Sequence, residues 1–214
     1  MTEILLIRHG ETHWNVEKRV QGHLDIALNA EGERQAAALG DALSDEKIDV
    51  IYASDLQRAR QTAQAIAAPH GMQVRIERDL RERSYGAFEG MLHGDINTTY
   101  PDAYTMLRAR DIDARFPMGV QQAETLRELS QRAVGVITRL ANEHRHKKIV
   151  IVSHGGVLEC IYRAANRLDF SPPRDFDIKN ASINRLLWDG ESLRIAHWSD
   201  VRHLAGLSLD EIDK

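Results

Sequence analysis

Residues 4–12 read Ile4-Leu5-Leu6-Ile7-Arg8-His9-Gly10-Glu11-Thr12. Four consecutive aliphatic side chains without alternation are the pattern of a strand buried on both faces, as in a parallel sheet. The abrupt change to charge and glycine marks the loop at its carboxyl end. The pattern recurs. Asp49-Val50-Ile51-Tyr52 runs into Ser54-Asp55-Leu56-Gln57-Arg58-Ala59-Arg60, and Ile149-Val150-Ile151-Val152 runs into Ser153-His154-Gly155-Gly156. Met72 to Ile76 predicts a third strand, with Leu80-Arg81-Glu82-Arg83-Ser84-Tyr85-Gly86 a few residues on.

Helices separate these strands. Asn29 is placed to cap one over 30–43, with Glu31 and Glu33 in its first turn. Ser54 with Gln57 three residues later predicts a capping box opening a helix to about Ala68. From Gln121 to His144, Leu126, Leu129, Ala133, Val136, Ile137 and Leu140 fall on one helical stripe. A further helix is expected over 156–167. Ile183 to Trp188 and Leu193 to Trp198 flank Asp189-Gly190, which suits a tight primed hairpin turn. Strands alternating with helices imply an α/β chain with a mainly parallel sheet and one antiparallel edge. The stretch from about 86 to 120 fits no clean period and is expected to be a cap or long loop.

Composition narrows the class. The chain has 214 residues, which at roughly 100–200 residues per domain predicts a single domain, 1–214. Lys plus Arg is 28 and Asp plus Glu is 32, a net charge of −4, which argues against a dedicated nucleic-acid or membrane-surface protein. The single cysteine, Cys160, excludes an internal disulfide framework and fits a reducing compartment. No apolar run approaches a membrane span, and the N-terminus lacks a basic region ahead of its four-residue apolar run, so a cytoplasmic location is expected.

Open parallel sheets bind ligands outside the carboxyl ends of their strands. The residues expected there are two histidines, several arginines and a glutamate. Arginine forks match phosphate oxygens, a histidine nitrogen can hold a phosphoryl group covalently, and a glutamate beside a leaving oxygen can act as a general acid. The ten histidines show neither His-Glu-x-x-His nor paired-cysteine spacing, so neither a metal nor a cofactor is expected. A cysteine phosphatase would need arginine six residues after Cys160, and that position is Asn166.

Arg8-His9-Gly10-Glu11-Thr12 with Trp14-Asn15, Gln21-Gly22, Ser54 through Ala59 with Thr62-Ala63, Leu80-Arg81-Glu82 with Gly86 and Glu89-Gly90, Val152 through Gly156, and Asn180-Ala181-Ser182 occur in that order. Together they resemble the histidine phosphatase superfamily, also called the phosphoglycerate mutase-like family. The resemblance covers nearly the whole chain and is poor over 91–120. It implies a three-layer α/β/α sandwich. It implies that His9 is the nucleophile that becomes phosphohistidine, that Arg8, Arg58 and His154 bind the phosphoryl group with help from Asn15, and that Glu82 is the proton donor. It also implies a phosphate-side or substrate-side role for Arg60. Gln21, Gly22, Arg83, Ser84, Tyr85 and the Gly155 backbone would line the substrate side. Ala27 stands where the family often has proline before leucine, and Ala123-Glu124-Thr125 where it often has Gly-Glu-Ser. Both departures touch substrate-side loops.

The expected activity is that of a metal-independent phosphatase acting on a small phosphorylated metabolite, with neither nucleic acid nor membrane as partner and a homodimer compatible with the chain. A phosphoglycerate mutase, which shares the first step, is the second reading. Arg108, Arg110 and Arg115 are spread out here, where the family's mutases carry adjacent arginines in a longer insertion. A non-catalytic phosphate-binding protein is the third reading, and the filled pocket positions speak against it.

Overall fold

The structure, a computed structural model, describes residues 1–205. Strand β1 (Thr2–Arg8) buries Ile4, Leu5, Leu6 and Ile7 completely or nearly so. Their side chains alternate between two cores, Ile4 and Leu6 facing one and Leu5 and Ile7 the other. Helix α1 (His13–Val16) is a single turn, and α2 (Ala30–Ala42) opens with the Asn29 side chain accepting from Gly32 N at 2.8 Å. Next come β2 (Val50–Ala53), α3 (Gln57–Ala67) and β3 (Val74–Ile76), then α4 (His93–Thr99) and α5 (Pro101–Arg108). The chain continues through α6 (Leu126–Glu143), β4 (Lys148–Ser153), α7 (Gly155–Asn166), β5 (Ile183–Trp188) and β6 (Leu193–Asp200).

The six strands lie in the order β3-β2-β4-β1-β5-β6. The first four run parallel, and β5 and β6 are antiparallel to their neighbours. Ile149 and Ile151 of β4 repeat the alternation of β1, facing the core with α6 and α7, while Val150 and Val152 face the core with α2 and α3. These are the three layers of an α/β/α sandwich. β1 leads to α2 on one face, and its neighbour β4 leads to α7 on the other. The chain thus departs in opposite directions from two adjacent strand ends, which opens a crevice between them.

Several local expectations are corrected. Ser54 and Gln57 form no capping box. Ser54 Oγ accepts from Leu56 N at 3.3 Å, and Gln57 N donates instead to Asp25 Oδ1 at 2.6 Å, so α3 begins at Gln57. A capping box does form between Thr125 and Glu128, and it starts α6 at Leu126 rather than 121. The Asp189-Gly190 connection is not a two-residue primed turn, because φ is positive only at Gly190 (112°). A four-residue loop is held by Asp189 Oδ1, which accepts from Glu191 N and Ser192 N. The stretch without a period contains the short helices α4 and α5, packed over a separate small core of Val20, Phe88, Ile96, Phe116 and Ala123. Among the described residues no helix is long and apolar enough to cross a membrane.

Candidate active site

The parallel pairing of β1 with β4 sets Arg8 opposite Ser153, so the next residues, His9 and His154, emerge side by side. Their ring centroids lie 5.1 Å apart, and His9 N donates to Ser153 O at 3.0 Å. Both rings are buried. His9 Nδ1 lies 2.7 Å from Gly10 O. A carbonyl only accepts, so Nδ1 carries the proton and the Nε2 lone pair remains for attack. Burial first, then the charges of Arg58 and Arg8, hold the His9 imidazole well below the usual histidine range. The His154 imidazole is held down by burial, with Arg58 and His9 adding to it. His9 is therefore neutral at neutral pH, as a nucleophile must be.

Two arginines supply the positive charge. Arg8 is buried and donates from Nη1 to Ile178 O at 2.7 Å. Arg58, on the first turn of α3, is 1% exposed and donates to Gly22 O at 2.8 Å and Leu24 O at 2.9 Å. Burial lowers its guanidinium to about 10, which leaves it charged at neutral pH. Arg58 Nε, both ring nitrogens of His154 and Gln21 Oε1 are buried without a hydrogen-bond partner. Such groups cost about 1–3 kcal/mol each unless something satisfies them, and two donors among them, Arg58 Nε and the single N–H of the neutral His154 ring, suit an oxyanion. The N-terminus of α7 begins at Gly155 beside them and adds its positive dipole end.

Glu82 lines the same cleft, tied to the first turn of α7. Its carboxylate accepts from Gly156 N, at 3.1 Å on Oε1 and 3.0 Å on Oε2, and from Arg83 N at 2.7 Å. A Cβ at position 156 would lie 2.3 Å from Glu82 Oε1, so this approach requires glycine. Asn15 Oδ1 accepts from Thr12 N and Thr12 Oγ1, both at 3.0 Å, which leaves its Nδ2 amide to donate toward the cleft.

Arg8, His9, Asn15, Gln21, Gly22, Arg58, Glu82, Tyr85 and Gly155 all line one cleft, with a cavity of about 110 Å³. His154 packs behind His9. Two expected residues stand elsewhere in the loop: Arg83 stacks over Phe116 at 4.5 Å and donates to Glu124 O, while Ser84 Oγ donates to Gln122 O. They anchor the loop bearing Glu82 and do not form the wall. Arg60 is a correction. It is exposed and borders a separate hollow with Gln64, Met72 and Ile76. Two residues along a helix turn a side chain by roughly 200°, so Arg60 faces away from Arg58.

The sequence reading missed Lys18, Arg19, Val20 and His93, which complete the rim of the cleft. An isolated bridge pairs Arg19 with Leu92, His93 N donates to Lys18 O, and Val20 N donates to Met91 O. These partners are some seventy residues apart, and neither side carries a periodic signal. Glu89 Oε1 accepts from His23 N at 3.1 Å and from Tyr85 N at 3.0 Å and so ties the two rim loops together.

The profile of the histidine phosphatase superfamily (branch 1) matches residues 4–201. The chain belongs to the histidine phosphatase superfamily. Phosphoglycerate mutase-like protein 4 of Arabidopsis thaliana is 40% identical over 205 residues, covering 94% of this chain and 86% of that protein. The metal-independent phosphoserine phosphatase of the same plant is 34% identical over 212 residues, covering 97% and 85%. Among solved structures, the Entamoeba histolytica phosphoserine phosphatase in complex with 3-phosphoglyceric acid superposes with a TM-score of 0.84 at 26% identity, covering 95% of this chain and 100% of that one. The family match spans both His9 and His154.

Proposed function

We propose that the protein is a metal-independent phosphatase that hydrolyses a small phosphomonoester through a phosphohistidine at His9. The observation that carries the proposal is the His9 Nδ1 hydrogen bond to Gly10 O, which leaves a neutral Nε2 facing a cleft lined by buried arginines. Nε2 attacks phosphorus and the bond from phosphorus to the ester oxygen breaks. Glu82 gives its proton to that oxygen. Water then attacks the phosphohistidine, its proton passes to Glu82, and inorganic phosphate leaves with His9 neutral again. Arg8, Arg58 and His154 hold the equatorial oxygens, so the reaction as written needs no metal charge.

The rim favours a second anionic group on the substrate, because Lys18 stands at the mouth beside Arg19, which is itself paired with Glu17. A phosphorylated hydroxy or amino acid has that chemistry, and the names of the phosphoserine phosphatase relatives point the same way. Two observations favour hydrolysis over mutase transfer. Arg110 is bonded to Glu159 and Phe170 O, and Arg115 to Glu128 and Ala123 O, so neither is directed at the cleft. The test is a phosphate-release screen over metabolite phosphates in EDTA, with a phosphoglycerate mutase assay in parallel and acid-quench detection of an acid-labile phosphoenzyme. Release of phosphate with a labelled histidine supports the reading. Faster transfer between glycerate hydroxyls than release to water would replace it with the mutase.

A further inference from the structure

Arg132 lies on α6, outside the cleft wall, and no sequence motif singles it out. Its guanidinium has five N–H donors, and the structure engages all five. Nη1 donates to Asp79 O and Arg81 O, both at 2.8 Å. Nη2 donates to Glu82 O at 3.2 Å and to Glu124 Oε2 at 2.7 Å, and Nε donates to Glu124 Oε1 at 2.8 Å. Three backbone carbonyls within four residues therefore converge on one side chain. Glu124 closes the ring by accepting from Ser84 N at 3.0 Å, beyond Glu82 in the chain.

A planar fork is the side chain that can do this. One edge meets a carboxylate in two-point fashion while the other reaches the carbonyls. With no donor left over, Arg132 has nothing to offer a substrate. It holds the loop from its backbone side, and Gly156 N holds the Glu82 carboxylate from the other. A general acid must lie within hydrogen-bond reach of the leaving oxygen, and a misplacement of about 1 Å costs on the order of 100-fold.

We propose that Arg132 is a positioning residue that sets the Glu82 carboxyl against the leaving oxygen of the substrate. The proposal rests on Glu82 being the proton donor. Its signature is dependence on the leaving group. An alkyl alcohol needs the proton, whereas p-nitrophenolate leaves without it, so a displaced Glu82 harms only the first.

The experiment measures kcat/KM for an alkyl phosphomonoester and for p-nitrophenyl phosphate in wild type, Arg132→Gln, Glu82→Gln and the double variant. Arg132→Gln is expected to lower the alkyl value by about 10- to 100-fold and the p-nitrophenyl value by less than about threefold. In the Glu82→Gln background the same change should cost little more. If Arg132→Gln does not fold, Arg132→Lys carries the same comparison, with a smaller selective loss expected. Equal loss on both substrates, no loss on either, or full additivity with Glu82→Gln overturns the positioning role. If Glu82→Gln itself lowers both substrates by one factor, the proton-donor reading fails first, and that outcome is read from the Glu82 variant alone.

Discussion

The floor of the cleft and its rim are built by different means. On the floor, Arg8, His9, Arg58 and His154 are each at most 3% exposed, and each is attached to a strand end or to the first turn of a helix packed in a core. Sheet register alone sets His9 beside His154. On the rim, Lys18 and His93 are exposed and Arg19 is half-buried. Their fastenings include an isolated bridge, the His93 N bond to Lys18 O, the Arg19 bonds to Gly90 O and Glu17, and the stacking of Arg19 on Trp14 at 5.6 Å. A floor of this kind fixes the reaction, because moving any member means disturbing a close-packed core. A rim of loops can change its side chains without disturbing the sheet.

The sharpest way to break this contrast is at the floor. His9→Ala should lower kcat by about 10⁴-fold or more and abolish the phosphoenzyme, with an unchanged circular dichroism spectrum. Turnover near the wild-type rate in that variant would remove the covalent mechanism. Gly156→Ala tests the junction of floor and rim. The added methyl would sit 2.3 Å from Glu82 Oε1 and 3.3 Å from Leu129 Cδ2, so the carboxylate must shift. A loss of about 10- to 100-fold is expected for an alkyl phosphate, with p-nitrophenyl phosphate affected much less. Equal retention of both activities would mean that the Glu82 position does not matter.

Titration gives a smaller effect. The folded-state pKa values of His9 and His154 both lie well below 6.5, mainly through burial. Protons are therefore taken up by the unfolded chain near 6.5 but not by the native one, so stability is full above that pH and falls as pH drops through the window beneath it. Each histidine contributes at most about 1.4 kcal/mol per pH unit. His154→Gln should remove one of those slopes in denaturant titrations run between pH 7 and 5. An NMR titration of labelled imidazoles that finds His9 protonating at its ordinary pH would contradict the neutral-nucleophile assignment. The smallest effect belongs to the rim. Lys18→Gln should raise KM for a carboxylate-bearing phosphomonoester by about fivefold, roughly 1 kcal/mol, and leave an uncharged alkyl phosphate unchanged. A shift in kcat with both substrates would assign Lys18 to the floor instead.

The sheet was legible because its strands are apolar on both faces. Ile4–Ile7 and Ile149–Val152 admit few other readings, and the residues directly after them had to meet once the strands ran parallel. The capping of α3 was not legible. Ser54 and Gln57 have the right spacing, yet Asp25, far away in the chain, provides the oxygen that Gln57 N uses. Arg60 was misplaced because the resemblance that assigned it carries no helix-face information, and two residues along a helix set it roughly 200° from Arg58. Lys18 and His93 were missed because a charged residue beside a short helix and a histidine in an aperiodic stretch each read as solvated surface.

What the amino-acid sequence determined by itself is the mainly parallel α/β pattern, the histidine pair and the family to which the chain belongs. All three follow from local runs whose chemistry is concentrated within a few residues. What only the tertiary structure decided is which polar groups are already engaged. Arg132 and Arg58 are both arginines on helices, but one has every donor bonded to the Glu82 loop and its carboxylate neighbour while the other keeps a buried, unpartnered Nε beside the cleft. Hydrophobic periodicity reports which face of an element is buried. The partners of a polar side chain depend on positions tens of residues away, and only the folded chain brings those within hydrogen-bond reach.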